Sequence, residues 1–102
     1  MGNVNAAIKH IQRGIALRLV AETEATGASV QLTEIFLKQS GYVLEKHEIM
    51  GIYRYLEGKG LIKLSGTDSS NIHISRVIAK ITPKGTDVLD GTVKIDGIEL
   101  EH

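Results

Sequence analysis

Between Val4 and Thr23, Ile8, Ile11, Ile15 and Leu19 recur at helical spacing on one face, and Ala16 and Val20 widen it. The spacing predicts a first helix with Asn5 as its N-cap and a break at Gly27. Ser29 predicts the cap of a shorter second helix over roughly 30–39, with Leu32, Ile35 and Phe36 facing inward and Ser40-Gly41 stopping it. A third helix is expected from near Glu45 to about Glu57 or Gly58. Its Ile49, Ile52, Tyr53 and Leu56 keep the i, i+3, i+4, i+7 pattern of a face held on a core. The opposite face carries Lys46, His47, Met50, Gly51 and Arg54.

The period then changes. In YLEGKGLIKLSG, residues 55–66, Gly58 and Gly60 suit a helix stop because glycine reaches left-handed backbone angles. Leu61, Ile62 and Leu64 read as a short strand, and Ser65 to Asn71 as a turn. IHISRVIAKIT reads as a returning strand, with Val77, Ala79 and Ile81 alternating against Ile78 and Lys80. Thr82 as N-cap and Pro83 at the first helical position open a short helix that uses Val88 and Leu89 and ends at Gly91. TVKIDGIEL is either a small extended segment or a loose tail. Three helices, a two-stranded hairpin and a short C-terminal helix make an α+β winged helix-turn-helix. Residues 30–58 would form the helix-turn-helix and 61–82 the wing. The expected domain is 1–98, with 99–102 a tail whose Leu100-Glu101-His102 looks like a tag remnant.

Composition narrows the chemistry. A chain of 102 residues has room for one core, and with four aromatics (Phe36, Tyr42, Tyr53, Tyr55) that core must be mainly aliphatic. The absence of cysteine excludes disulfides, thiolate catalysis and cysteine metal sites, and agrees with a cytoplasmic location. No apolar run has membrane-spanning length, and the first residues lack a secretory pattern. Net charge is zero but uneven. Residues 1–84 carry 11 Lys and Arg against 7 Asp and Glu, whereas 85–102 carry Lys94 against Asp87, Asp90, Asp96, Glu99 and Glu101. Lys9, Arg13 and Arg18 also make the first helix basic, a stretch that is either solvated or available to phosphate.

GYVLEKHEIMGIYRYLEGKGLIKL followed by AKITPKGTDVLDGTVKIDGI resembles small winged-helix proteins of Mu-like phages and prophages, often labelled ArsR-type transcriptional regulators. The likeness spans about residues 6–98, and its more particular part is Lys84-Gly85, Asp87, Gly91 and Gly97-Ile98. It implies a small DNA-binding or regulatory domain and brings no catalytic motif. It also departs from metal-sensing ArsR proteins, which use cysteine or His/Asp clusters.

Direct DNA reading would fall to Lys46, His47, Met50 and Arg54 on the third helix, with Gly51 allowing close approach. Glu45, Glu48 and Glu57 on the same helix oppose phosphate, and the helix has no Asn or Gln. Lys63, Ser70, Asn71, His73 and Arg76, with Thr67 and Ser69, would hold the backbone of double-stranded DNA from the wing; the plainer reading of that tip is a turn. His10, His47 and His73 are scattered without metal-ligand spacing, and no phosphate loop or serine elbow is present, so neither an enzyme nor a cofactor is expected. The rival function is a protein-interaction module. A homodimer seam through Ala7, Ala16, Leu17 and Val20, or through Val88, Leu89, Val93, Ile95 and Ile98, competes with the same residues completing the monomer core.

Overall fold

The structure is a computed structural model that describes residues 4–67 and 72–100. Its described elements are α1 (Val4–Glu22), β1 (Ala28–Ser29), α2 (Val30–Gln39), α3 (Lys46–Gly58), β2 (Ile62–Ser65), a 3-10 turn (Ile74–Arg76), β3 (Ile78–Ile81) and α4 (Pro83–Leu89). The result is an α+β fold of four helices and one antiparallel sheet in the order β1-β3-β2, an arrangement compatible with a winged helix.

Helix α1 is central and touches α2, α3, α4 and β3. The expected inward face holds at Ala16, Leu19 and Val20, which are buried together with Gln12 and Leu17, while Ile8, Ile11 and Ile15 are only half-buried. Asn5 lies inside the helix rather than capping it. At the far end the Thr23 hydroxyl donates to the Leu19 and Val20 carbonyls at 3.0 and 3.1 Å, and Gly27 turns the chain with φ +81°. The next two residues form β1, which the sequence pattern does not predict, and pair with β3 through Ala28↔Ala79 and Ser29↔Ile78.

Ser29 caps α2 as expected, its hydroxyl accepting from the Leu32 N–H at 3.0 Å. The buried face of α2 is Val30, Thr33 and Leu37, however, and not Leu32, Ile35 and Phe36. Leu32 and Ile35 remain 40% and 46% exposed, and Phe36 is half-buried. Both sets fit helical spacing, and a polar contact decides between them. The Thr33 hydroxyl meets the hydroxyl of fully buried Tyr53, which also donates toward the Ala28 and Ser29 carbonyls at 3.0 Å. Burial pushes the Tyr53 phenol up to about 12, against the opposing pull of the Thr33 hydrogen bond.

Helix α3 begins at the expected cap, the Glu48 carboxylate accepting from the Glu45 N–H at 2.9 Å. Ile49, Ile52, Tyr53 and Leu56 are buried as the periodicity requires. The helix ends in a Schellman turn: Leu61 N–H bonds the Leu56 carbonyl at 3.0 Å and Gly60 N–H the Glu57 carbonyl at 2.9 Å. Only Gly60 takes a positive φ there, +77°; Gly58 is an ordinary helical residue. Thr82 ties this corner to the next, donating to the Gly60 carbonyl at 2.7 Å and accepting from the Gly85 N–H at 3.1 Å.

The β2–β3 hairpin pairs Ile62↔Ile81, Lys63↔Lys80, Leu64↔Ala79 and Ser65↔Ile78. The returning strand is shorter than expected because Ile74–Arg76 coils into the 3-10 turn that packs on α2 and α3. Residues 92–100 are not loose. Val93, Ile95, Ile98 and Leu100 pack on the core, Glu99 N–H bonds the His10 carbonyl at 3.0 Å, and the packed body thus reaches Leu100.

Candidate nucleic-acid interface

Four residues of α3, His47, Gly51, Arg54 and Gly58, succeed one another at i, i+4, i+7 and i+11 opposite the buried face, and all are exposed. A Cβ added at Gly51 or Gly58 would meet no atom within 4 Å. Gly51, in the helix interior, costs about 1 kcal/mol of helix propensity relative to alanine. No close approach inside the chain accounts for that cost.

The polar side chains of α3 expected to read DNA already have partners. Lys46 Nζ is 2.8 Å from Glu34 on α2, His47 Nδ1 is 3.6 Å from Glu45, and Arg54 Nη1 is 3.5 Å from Glu57. These are surface pairs, each worth about 0–1 kcal/mol, so a phosphate would displace the carboxylates at little cost. They also leave α3 without net positive charge, since Lys46 and Arg54 balance Glu48 and Glu57. Met50 does not stand free in the stripe but is half-buried against the core.

The hairpin divides the remaining expected residues. His73 and Arg76 are exposed at either end of the 3-10 turn that packs on α2 and α3. Lys63 does not join them. Strand alternation sends Ile62 and Leu64 into the core and Lys63 to the outer sheet face, directly across from Lys80. Ser70 and Asn71, with Ser69, lie outside the described residues; Thr67 is half-exposed. Among the described residues, no ion pair involves Lys9, Lys63, Arg76 or Lys80.

The expected dimer seam is largely consumed within the chain. Ala16, Leu17 and Val20 have no exposed surface and Val88 is 3% exposed, all in the core; Leu89, Val93, Ile95 and Ile98 pack around it. Ala7 is exposed.

A cluster that sequence reasoning missed lies where the C-terminal segment crosses α1. The Arg13 guanidinium stands 3.6 Å from the Tyr55 ring centroid and donates to the Gly97 carbonyl at 3.1 Å. The Tyr55 hydroxyl donates to the Asp96 carbonyl at 3.1 Å. Arg13 thus clamps the C-terminal segment, and nothing in the local sequence marks Tyr55 as its platform. Among the described residues no group of three or more His, Asp or Glu is placed to hold a metal ion, and no helix is long and apolar enough to cross a membrane. No protein-family model, curated protein or solved structure matches the chain.

Proposed function

We propose that the protein is a winged-helix DNA-binding regulator of the phage and prophage kind, a binding protein of the cytoplasm rather than an enzyme. In this reading α2 and α3 are the helix-turn-helix and the β2–β3 hairpin is the wing. The supporting observation is the bare outward stripe of α3, His47-Gly51-Arg54-Gly58, whose glycines keep the helix backbone accessible and have no use inside the chain. The stripe enters a major groove, with Arg54 and His47 at base edges and Lys46 and Met50 on its flank. Phosphates exchange with Glu34 and Glu57 for Lys46 and Arg54. His73 and Arg76, with Ser70 and Asn71 of the wing tip, hold the DNA backbone. Lys63 and Lys80 supply positive charge from the outer sheet face.

Fluorescence anisotropy of a labelled random duplex at low and at moderate salt tests this. Release of counterions from about four phosphates predicts a log–log salt slope of about −3 to −4. Arg54→Ala combined with Arg76→Ala should abolish binding without unfolding the domain. Absence of binding at low salt overturns the reading.

A second reading, a protein-interaction winged helix, is favoured by one observation. Leu32 and Ile35 stand exposed on α2, where an apolar partner would cover them. A homodimer would likewise use this flank rather than the buried residues of α1.

A further inference from the structure

A cleft of about 310 Å³ opens between α1 and α3 and reaches the stripe at Gly51. Ile52 and Leu44 form its apolar floor. Its rim holds Lys9 and Arg13 on one side and Glu48 on the other, a net charge of +1. Two of these charges are held in place. Arg13 is fixed by the Tyr55 ring and the Gly97 carbonyl, and Glu48 by the Glu45 N–H. Lys9 is exposed.

Gln12 lines the same cleft and is only 9% exposed, yet no hydrogen bond to its side chain is formed among the described residues. Every fully enclosed side-chain polar atom among those residues has a partner. The Gln12 amide, having none, therefore opens into the cleft. A primary amide carries two donors and an acceptor, and here they are open to the water of the cleft and to any ligand that replaces it. Gly51 keeps the α3 wall low, with nothing within 4 Å of the position a side chain would take.

We propose that this cleft is a binding site for a small organic monocarboxylate with an apolar body and one further hydrogen-bonding group. The carboxylate sits between Lys9 and Arg13, the body lies on Leu44 and Ile52, and the Gln12 amide reads the second polar group. The net charge selects a monoanion, because a dianionic phosphate would also face the Glu48 carboxylate. Phosphates of a nucleic acid leave Gln12 unexplained, since only 9% of that residue is exposed.

The test is a ¹H–¹⁵N NMR titration of the full chain with 4-hydroxybenzoate and with 6-hydroxyhexanoate, using 4-hydroxybenzyl alcohol and inorganic phosphate as comparators. Saturable shifts are expected at the Gln12 side-chain amide and the Gly51 backbone amide with at least one carboxylate. Affinity should fall about tenfold for the neutral alcohol and for Gln12→Leu, which removes the hydrogen bond. Gly51→Leu, at an exposed helical position, fills the cleft from outside and should abolish binding with the fold intact. No saturable shift with either carboxylate, unchanged binding in Gly51→Leu, or phosphate binding as strong as carboxylate overturns the proposal. The titration contains no nucleic acid, so its failure leaves the DNA reading standing, and loss of duplex binding leaves the cleft.

Discussion

Gly14 in α1 and Gly51 in α3 are both helical glycines, and their surroundings are opposite. A Cβ on Gly14 would fall 2.0 Å from the Glu99 carbonyl oxygen, whereas a Cβ on Gly51 would touch nothing. Each gives up about the same helix propensity. At Gly14 the return is visible: the C-terminal segment crosses α1 in backbone contact and is pinned by Arg13, Tyr55 and the Glu99–His10 hydrogen bond. At Gly51 there is no return within the chain. One side of the molecule is closed upon itself, and the other is open.

Substitutions should break this contrast unequally. Gly14→Ala has the largest expected effect, about 2–3 kcal/mol of lost stability, because two backbones must separate. Hydrogen exchange at the Glu99 amide should lose its protection in that variant. Unchanged protection would mean that the crossing tolerates a methyl group.

Tyr53→Phe follows, at about 1–3 kcal/mol, since Thr33 and the Ala28 and Ser29 carbonyls lose a buried partner. The pH dependence sharpens it. Below pH 10 the phenol is protonated in both folded and unfolded chains, so its contribution is complete. Between pH 10 and about 12 the unfolded chain releases the proton that the folded chain retains, and stability falls by about 2–3 kcal/mol. Denaturant titrations from pH 9 to 12 should show this component in the native chain and not in Tyr53→Phe.

Arg13→Ala should cost about 1 kcal/mol through the lost ring contact and hydrogen bond, and should loosen residues 96–99. Gly51→Ala reverses the sign. It should raise stability by about 0.5–1 kcal/mol in thermal melts, while weakening duplex binding if the open stripe meets DNA. A Gly51→Ala chain that is more stable and binds unchanged would remove the stripe from the interface. Lys63→Gln has the smallest expected effect, a few tenths of a kcal/mol of stabilisation at low salt, because it relieves the cross-strand repulsion with Lys80.

The parts of the fold that were legible in the sequence are those where one local signal suffices. The Glu45 start of α3, its Ile49-Ile52-Tyr53-Leu56 face, the Ser29 cap and the Thr82-Pro83 opening of α4 all match the structure. The inward face of α2 was not legible, because Leu32 and Val30 satisfy the same period and only the Thr33–Tyr53 contact separates them. The two residues of β1 were also hidden: a strand so short has no period, and it exists because β3 offers it an edge. Of the candidate site, the stripe of α3 follows from helical geometry. The pairing of Lys46 with Glu34, twelve positions away, does not.

By itself, the sequence determined where α2, α3 and α4 begin and end, since caps, glycine turns and apolar spacing act within a few residues. It also determined that the core is aliphatic and that thiol chemistry is absent. Only tertiary structure decided that residues 92–100 form part of the body, that Lys63 points away from α3, and that Gln12 faces a cleft with its amide unpaired. These are relations between surfaces distant in the chain. Their energies come from burial and from partners that no local pattern encodes.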